Sequence, residues 1–433
     1  MSTTTESTAA IREPSGTNGI GVPDRWYNVL ADRGLELPQA QQAPNASGGG
    51  SVSAAVPKAL VRQNLPMRAW EPIPEPVRDA YRQWRPTPLI RLRRLERELG
   101  TTAAIYMKYE AGNVAGSAKY NTAVAQAYYY AEAGVQTLIT STAAGQWGTA
   151  IAAAAARFGM DCVVHMVPGS YDRKPGRRIA MELLGADVRR GTETAPGRST
   201  ALSDVMSEAI EHAGQTKAAR WILGGSEPFA ILHSTVIGQE TREQLRAVGE
   251  EREPLLIGYL GGGKNVGGLG LPYLAEGGTA RLVAVESTSY PVLTRGRFRY
   301  DATDRAGRSA SAKMYTLGAA FAGAPIQAES MRYHAAPKLF SVLREEGLVQ
   351  AVAYDEGPVF DSARLLLRTE GFLASAEAAY AVHAACEQAR DPRNDGQAIV
   401  FCLSDHGHLD TDAYRAYLDG RLEGRVPLDS EIE

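Results

Sequence analysis

Lys119 stands just after a short loop, GNVAGS, at the head of KYNTAVAQAYYYAEAG, whose small and apolar residues predict a helix. The peptide dipoles disfavour a cation at a helix start, and partial burial there lowers a lysine's pKa. A lysine that gives up its proton readily suits Schiff-base chemistry. Taken alone it reads as an ordinary solvated side chain, so its neighbours matter. Downstream, STAAGQWG (Ser141 to Gly148) follows an apolar run and precedes TAIAAAAARFG. A strand that empties through small residues into a helix start is an anion site. Further on, LLIGYLGGGKNVGGLGLPY reads as a buried strand followed by Gly261, Gly262 and Gly263, then Lys264 and Asn265. The N–H groups of such a loop can cradle a phosphate. A dinucleotide loop would instead open a βαβ unit with an acidic residue about 20 positions on, a pattern missing here. Finally, Ser404 ends the strand-like AIVFCLS, where a hydroxyl has chemical meaning only if it faces a ring nitrogen.

Buried strands and helices must hold these four stretches. AAIYMKYE, QTLITS, CVVHMVP, ADVRRG, RWILGG, LLIGYLGGG, RLVAVES and AIVFCLS read as short buried strands, and most are separated by Ala- or Leu-rich amphipathic runs. That alternation predicts an α/β fold with largely parallel sheets. The charged GEEREP (Gly249 to Pro254) marks a boundary between two sheets. The chain thus divides into an extension over 1–61, an α/β domain over 62–250 carrying Lys119 and the first anion loop, and a second α/β domain over 251–433 carrying the glycine loop and Ser404, with the chain crossing between them. The extension ends in NASGGGSVSAAV, a flexible linker composition, and only VPDRWYNVL within it is suited to packing.

Composition narrows the ligand. Among 433 residues, 46 are basic and 49 acidic, which gives a net charge of -3 spread evenly along the chain. No basic surface for nucleic acid or anionic membrane is evident, so the expected ligand is small. The three cysteines, Cys162, Cys386 and Cys402, lie far apart in apolar runs and carry no metal-binding spacing. A reducing, cytoplasmic setting is expected, because neither a secretory h-region nor a membrane-length apolar run is present. The tyrosines Tyr128 to Tyr130 read as helix packing. His406 and His408 have no evident carboxylate partner and read as neither catalytic nor metal ligands.

In chain order, WYN, RPTPLIRLRRLERELG, KYEAGNVAGSAKYNTAVAQAYY, TAAGQWG, DRKPGRRIAMELLGADV, LHSTVIGQE, GGGKN, LTRGRFRYDATD, KMYTLG, MRYHAAP, EGLVQAVAY and LSDHGH resemble the pyridoxal-phosphate enzymes of the tryptophan synthase β fold. The resemblance covers the chain from Trp26 to its end. Trp147, the RYH triplet from Arg332 to His334 and the WYN segment resemble the second, longer-tailed class of β subunits, which as a rule does not rely on an α subunit. The resemblance implies a two-domain, fold-type II α/β architecture with pyridoxal 5'-phosphate as cofactor. It further implies a homodimer without an α subunit, whose partners are small molecules: an amino acid and a nucleophile. By the same resemblance Lys119 forms the internal aldimine and Asn121 bonds the cofactor's phenolic oxygen. Gly261, Gly262, Gly263, Lys264 and Asn265 surround the phosphate, Glu377 lies at the cofactor edge, and Ser404 faces the pyridine nitrogen as a neutral partner. Thr142, Ala143, Ala144, Gly145, Gln146 and Trp147 form the amino-acid carboxylate site.

The sequence also departs from the family. Ser141 replaces a glutamate that assists the nucleophile and the leaving hydroxyl, a general acid/base role worth ~10²–10⁴-fold in rate. Ala118 replaces a histidine beside the phosphate, while Lys264 replaces a serine, so one cation is lost and another gained. In LASAEAAYA, Ala374, Ala376, Ala378 and Tyr380 replace two prolines, a serine and a histidine. Arg332 stands where the first class has an aspartate, and an arginine suits an anionic leaving group. The retained residues handle cofactor and carboxylate, whereas the changed ones surround the β carbon. The expected activity is β-replacement on L-serine or O-phosphoserine through an aminoacrylate, adding an indole-like or other nucleophile. The alternatives are authentic tryptophan synthesis from indole and serine, and an amino-acid dehydratase or lyase.

Overall fold

A computed structural model describes residues 19–41, 56–193, 202–222, 224–303 and 310–433. Ten strands build its two main sheets: β1 (Leu89–Arg91), β2 (Ala104–Tyr109), β3 (Thr137–Thr142), β4 (Asp161–Met166), β5 (Ala186–Arg190), β6 (Ala219–Trp221), β7 (Leu255–Tyr259), β8 (Leu282–Ser287), β9 (Gln350–Tyr354) and β10 (Ala398–Leu403). Six helices position the site: α1 (Lys119–Glu132), α2 (Gln146–Arg157), α3 (Pro175–Leu183), α4 (Val236–Ala247), α5 (Lys264–Gly270) and α6 (Ala376–Arg390).

The larger sheet runs β9-β8-β7-β10-β2-β1 and is parallel except for β1, which lies antiparallel to β2. At its centre every residue of β10 is buried. Ala398, Val400 and Cys402 face one core, while Ile399, Phe401 and Leu403 face the other. A strand covered on both faces needs apolar residues at every position, which is why AIVFCL shows no alternation. The smaller sheet, β5-β4-β3-β6, is parallel throughout.

The sheets correct the expected division at residue 250. Strands between 62 and 250 belong to both: β1 and β2 join the larger sheet beside β10, and only β3 to β6 form the smaller one. The parallel pairing of β2 with β10 closes the sheet across almost the whole chain, from Ala104↔Ala398 to Tyr109↔Leu403. Two strands escape the sequence pattern. β1 has three residues and β9 is a half-exposed edge, so neither presents the apolar run of a buried strand.

In the N-terminal extension, Arg25–Tyr27 pairs antiparallel with Trp70–Pro72. Trp26 and Tyr27 are fully buried, and the Tyr27 N–H donates to Thr235 Oγ1 at 2.9 Å. The WYN segment is therefore part of the core, as the sequence suggests. The expected linker, residues 45–56, lies outside the described residues except for Val56. No helix among the described residues is long and apolar enough to cross a membrane.

Beneath the site lies a buried ionic network. Arg85 donates to Glu110 at 2.9 and 3.0 Å and to Glu240 at 2.9 and 3.1 Å. Lys108 donates to Glu240 at 2.9 Å and to Gln244 at 2.8 Å. Two cations thus balance two carboxylates, which ties β2 to α4 and to the segment ahead of β1. Burial of these charges is tolerable only because each is paired and hydrogen-bonded.

Candidate active site

Lys119 opens α1 and points into a buried cluster at the ends of β7 and β10. Its Nζ donates to Asp405 Oδ1 and to the Tyr259 hydroxyl, each at 3.0 Å. Asp405 also accepts from the hydroxyls of Ser117 and Ser404, and from Tyr259 at 3.4 Å. This arrangement reverses the expected pKa shift of the lysine. Burial alone would push Lys119 down, but the Asp405 carboxylate, with Tyr259 and Glu377, outweighs it and holds the amine well above the ordinary lysine value. Without a ligand, Lys119 is an ammonium.

Two turns of chain position Lys119. Asn113 Oδ1 accepts from the N–H of Ala115 at 3.0 Å, and the Ala118 N–H donates to the Ser404 carbonyl at 2.7 Å. The lysine loop and the end of β10 are thereby joined directly. Asn121, two positions onward, has its amide oriented by the ionic network: Nδ2 donates to Glu110 and Oδ1 accepts from Arg85, both at 3.0 Å. An amide nitrogen carries two protons, so one N–H of Asn121 remains for a further acceptor.

The STAAGQWG loop forms as its sequence suggests. Thr142 Oγ1 accepts from the N–H groups of Gly145 and Gly148 at 3.2 Å, and Gly145 has a φ of 97°, in the left-handed region. Among the described residues, the N–H groups of Ala143, Ala144 and Gln146 have no hydrogen-bond partner, and they collect at the start of α2. Such a group of donors at a helix start suits an anion. The Gln146 side chain donates to Glu377 at 2.8 Å, and the Ser330 N–H donates to the same carboxylate at 3.1 Å. Burial raises the pKa of Glu377. Trp147 is a packing residue here, its ring N–H donating to Thr140 at 2.9 Å. Ser141 is buried at the end of β3, where strand alternation turns it away from Thr142.

The glycine loop connects β7 to α5. Gly263 takes a φ of 83°, and a Cβ on Gly262 would meet the Gly225 carbonyl at 2.6 Å. Among the described residues, no acceptor takes the N–H groups of Gly261, Gly262 or Gly263. Lys264 does not point to solvent. It is buried, donates to the Gly225 carbonyl at 2.8 Å and lies 5.4 Å from the Trp147 ring centroid. Burial, and then the charge of Lys119, lower its pKa to about 7. The side chain of Asn265 is turned toward the sheet, where Nδ2 donates to the Cys402 carbonyl at 3.1 Å.

These residues fit a phosphate-bearing aldehyde. A buried lysine supplies the amine, and a loop of three glycines lies beside a second lysine; among the described residues, the glycine N–H groups have no acceptor and the second lysine has no carboxylate within bonding distance. Comparison with known proteins agrees. Residues 81–405 match the family described as pyridoxal-phosphate-dependent enzymes. The chain is 39% identical to tryptophan synthase beta chain 2 of Methanosarcina acetivorans over 93% of its own length and 95% of the relative's. It is 40% identical to that of Aeropyrum pernix, covering 94% and 95% of the two chains. The chain belongs to the tryptophan synthase β-like pyridoxal-phosphate-dependent enzymes.

This tryptophan synthase β-like enzyme carries three site residues that the sequence patterns did not single out. Asp405 and Tyr259 both contact Lys119. Each could have been noticed as a polar group closing an otherwise aliphatic strand, directly beside Ser404 and the glycine loop. The third is Arg177 on α3. It is fully buried, its guanidinium nitrogens have no hydrogen-bond partner, and its nearest carboxylate oxygen is on Asp410 at 3.6 Å. A Cβ on Gly145 would lie 2.9 Å from the Arg177 Cβ, so this side chain lines the back of the carboxylate loop. Arg332 follows the Glu329–Met331 turn, and its charge acts on Glu356, which accepts from the Gln327 N–H and so holds the preceding loop. His406 covers the lysine loop, where a Cβ on Gly116 would collide with its ring at 2.2 Å.

Proposed function

We propose that this enzyme joins a serine-type amino acid to a nucleophile by β-replacement. One observation carries the reading: the buried amine of Lys119 and two separate sets of N–H groups without partners among the described residues, at Ala143, Ala144 and Gln146 and at 261–263, belong to one cluster linked through Lys264, Trp147, Gln146 and Glu377. Bound pyridoxal phosphate supplies the electron sink that acidifies Cα and lets the β substituent leave.

The chain's own groups do the rest. Ala143, Ala144 and Gln146 hold the donor's carboxylate, and the glycine loop with Lys264 holds the cofactor phosphate. Asn121 offers its free N–H to the phenolic oxygen, and Ser404 faces the ring nitrogen. Lys119 Nζ takes the Cα proton, and Asp405 with Tyr259 keeps that proton on Nζ until it is returned. Ser141 leaves the nucleophile side without a carboxylate, which favours a nucleophile needing less charge stabilisation than indole carbon. The likeness to tryptophan synthase beta chain 2 supports the reaction class, and it is the ground for proposing a homodimer that needs no α subunit.

A specific observation favours one donor. Arg177, buried behind the 142–147 loop, makes no hydrogen bond among the described residues and has only a 3.6 Å ion pair with Asp410, so it suits a second anionic group better than a hydroxyl. O-phospho-L-serine is therefore the preferred donor, ahead of L-serine.

An absorbance spectrum of the cofactor-loaded enzyme, followed through addition of each donor without any nucleophile, tests the reading. A band shift with either donor supports β-replacement, and the more responsive donor identifies the leaving group. No response to either rules it out. Release of an oxo acid under these conditions points to a lyase, and rapid indole consumption with serine points to tryptophan synthesis. Lys119→Ala is expected to abolish the absorbance of lysine-bound cofactor while leaving the fold intact.

A further inference from the structure

Lys264 lies against the glycine loop in a slot made by two glycines. A Cβ on Gly225 would overlap its Nζ, and a Cβ on Gly262 would lie 2.9 Å from the same atom. Both positions must lack side chains for the lysine to reach its place. Its Nζ donates to the Gly225 carbonyl at 2.8 Å, the one acceptor it has among the described residues. An ammonium carries three donors, so two remain for an anion held by the N–H groups of Gly261, Gly262 and Gly263. We propose that Lys264 makes phosphate binding in this loop a proton-coupled event: each phosphate that enters near or above neutral pH draws a proton from solvent onto the Lys264 amine. The proposal rests on the assignment of the glycine loop to the cofactor phosphate, and it states what regulates that site.

The surroundings explain the coupling. Lys264 is buried, and burial is the main penalty on its charged form. The ammonium of Lys119, on α1, adds to that penalty, while the Asp405 carboxylate, after β10, opposes it. On the loop that carries Gly225, Glu227 is paired with Lys338 at 3.1 Å. From α2 the nearest group is the uncharged Trp147 ring, with its centroid 5.4 Å away. The amine therefore changes charge at about pH 7. A phosphate ester is a dianion above about pH 6, and two negative charges beside the amine raise its pKa. Above pH 7 the amine must gain a proton as the phosphate binds. A site that gains a proton on binding loses affinity as pH rises, by up to about tenfold per unit. Below pH 7 the amine is already charged, and the dependence fades. The new N–H bond takes its proton from solvent, and no other bond changes. The serine that Lys264 replaces would have no proton to gain, so the coupling is a property of the lysine.

The test is calorimetric titration of the cofactor-free full chain with pyridoxine 5'-phosphate, an alcohol that carries the phosphate yet cannot condense with Lys119. Titrations in buffers of different ionisation enthalpy count the protons taken up on binding. At pH 8 wild type is expected to gain about one proton more than Lys264→Met, and the excess is expected to vanish at pH 6. Lys264→Arg, charged at every pH, is expected to bind the probe without the extra proton, and it supplies the comparison if Lys264→Met binds too weakly to titrate. Equal uptake by wild type and these variants at pH 8 overturns the proposal alone, as does an excess that persists undiminished at pH 6. Failure of wild type to bind the probe at either pH sinks the assignment of the glycine loop, and the proposal with it.

Discussion

Two buried lysines share this site and are driven in opposite directions. Lys119 is held above its ordinary value by Asp405, whereas burial and Lys119 bring Lys264 down to about 7. For Lys264 the unfolded chain binds its proton more tightly than the folded chain does, so stability rises with pH between about 7 and the ordinary lysine range and is penalised fully below it. Lys264→Met in cofactor-free protein is expected to raise Tm by a few degrees in mildly acid buffer, with the gain shrinking toward alkaline pH. Melting curves across a pH series check this, and a gain that grows with pH contradicts it. Lys119 has the reverse consequence for cofactor capture. Only the free amine attacks an aldehyde, so the rate of pyridoxal-phosphate uptake should climb steadily with pH, as stopped-flow absorbance would record.

At the scale of elements, the start of α2 and the ionic network under α1 carry the site. Gly145 has a φ of 97° and no room for a Cβ, which would lie 2.9 Å from Arg177. Gly145→Ala should therefore displace the N–H groups proposed to receive the donor carboxylate. The expected loss is about 10²-fold in kcat/KM, because a displacement of roughly 1 Å costs that much. The spectrum of bound cofactor should be unchanged, since Lys119 and the glycine loop lie on other elements. Arg85→Leu, in contrast, strips two buried carboxylates of a shared cation, a change that costs about 3–5 kcal/mol. Chemical denaturation of the variant measures it, and a loss below about 1 kcal/mol would show that the network is solvated in solution.

For the whole molecule, the decisive contact is the pairing of β2 with β10, between residues 104–109 and 398–403. A chain ending before β10 leaves β2 and β7 without the strand that separates them at the centre of the sheet. Such a truncation is expected to lose the cooperative melt of the full chain altogether, rather than to shed one subdomain, and circular dichroism with limited proteolysis distinguishes the two. Light scattering of the intact 46.4 kDa chain tests the proposed homodimer by asking for twice that mass.

Short runs rich in apolar and β-branched residues are local signals, so most of the strands the sequence suggested could be read without knowing what lies beside them; β6, with three residues, was legible through its flanking RWILGG run. Lys119, the 142–147 loop and the glycine loop were equally legible, because each is a strand-to-helix turn written in consecutive residues. What lay beyond the sequence was convergence. Asp405 meets a lysine 286 positions away, and Gln146 meets Glu377 across 231. Such pairs are fixed by which strands become neighbours, and parallel order is decided by crossover packing rather than by any one stretch. Hence the sequence determined a lysine at a helix start and two loops suited to anions, while the tertiary structure decided that lysine's protonation, through a carboxylate that a distant strand brings to its side.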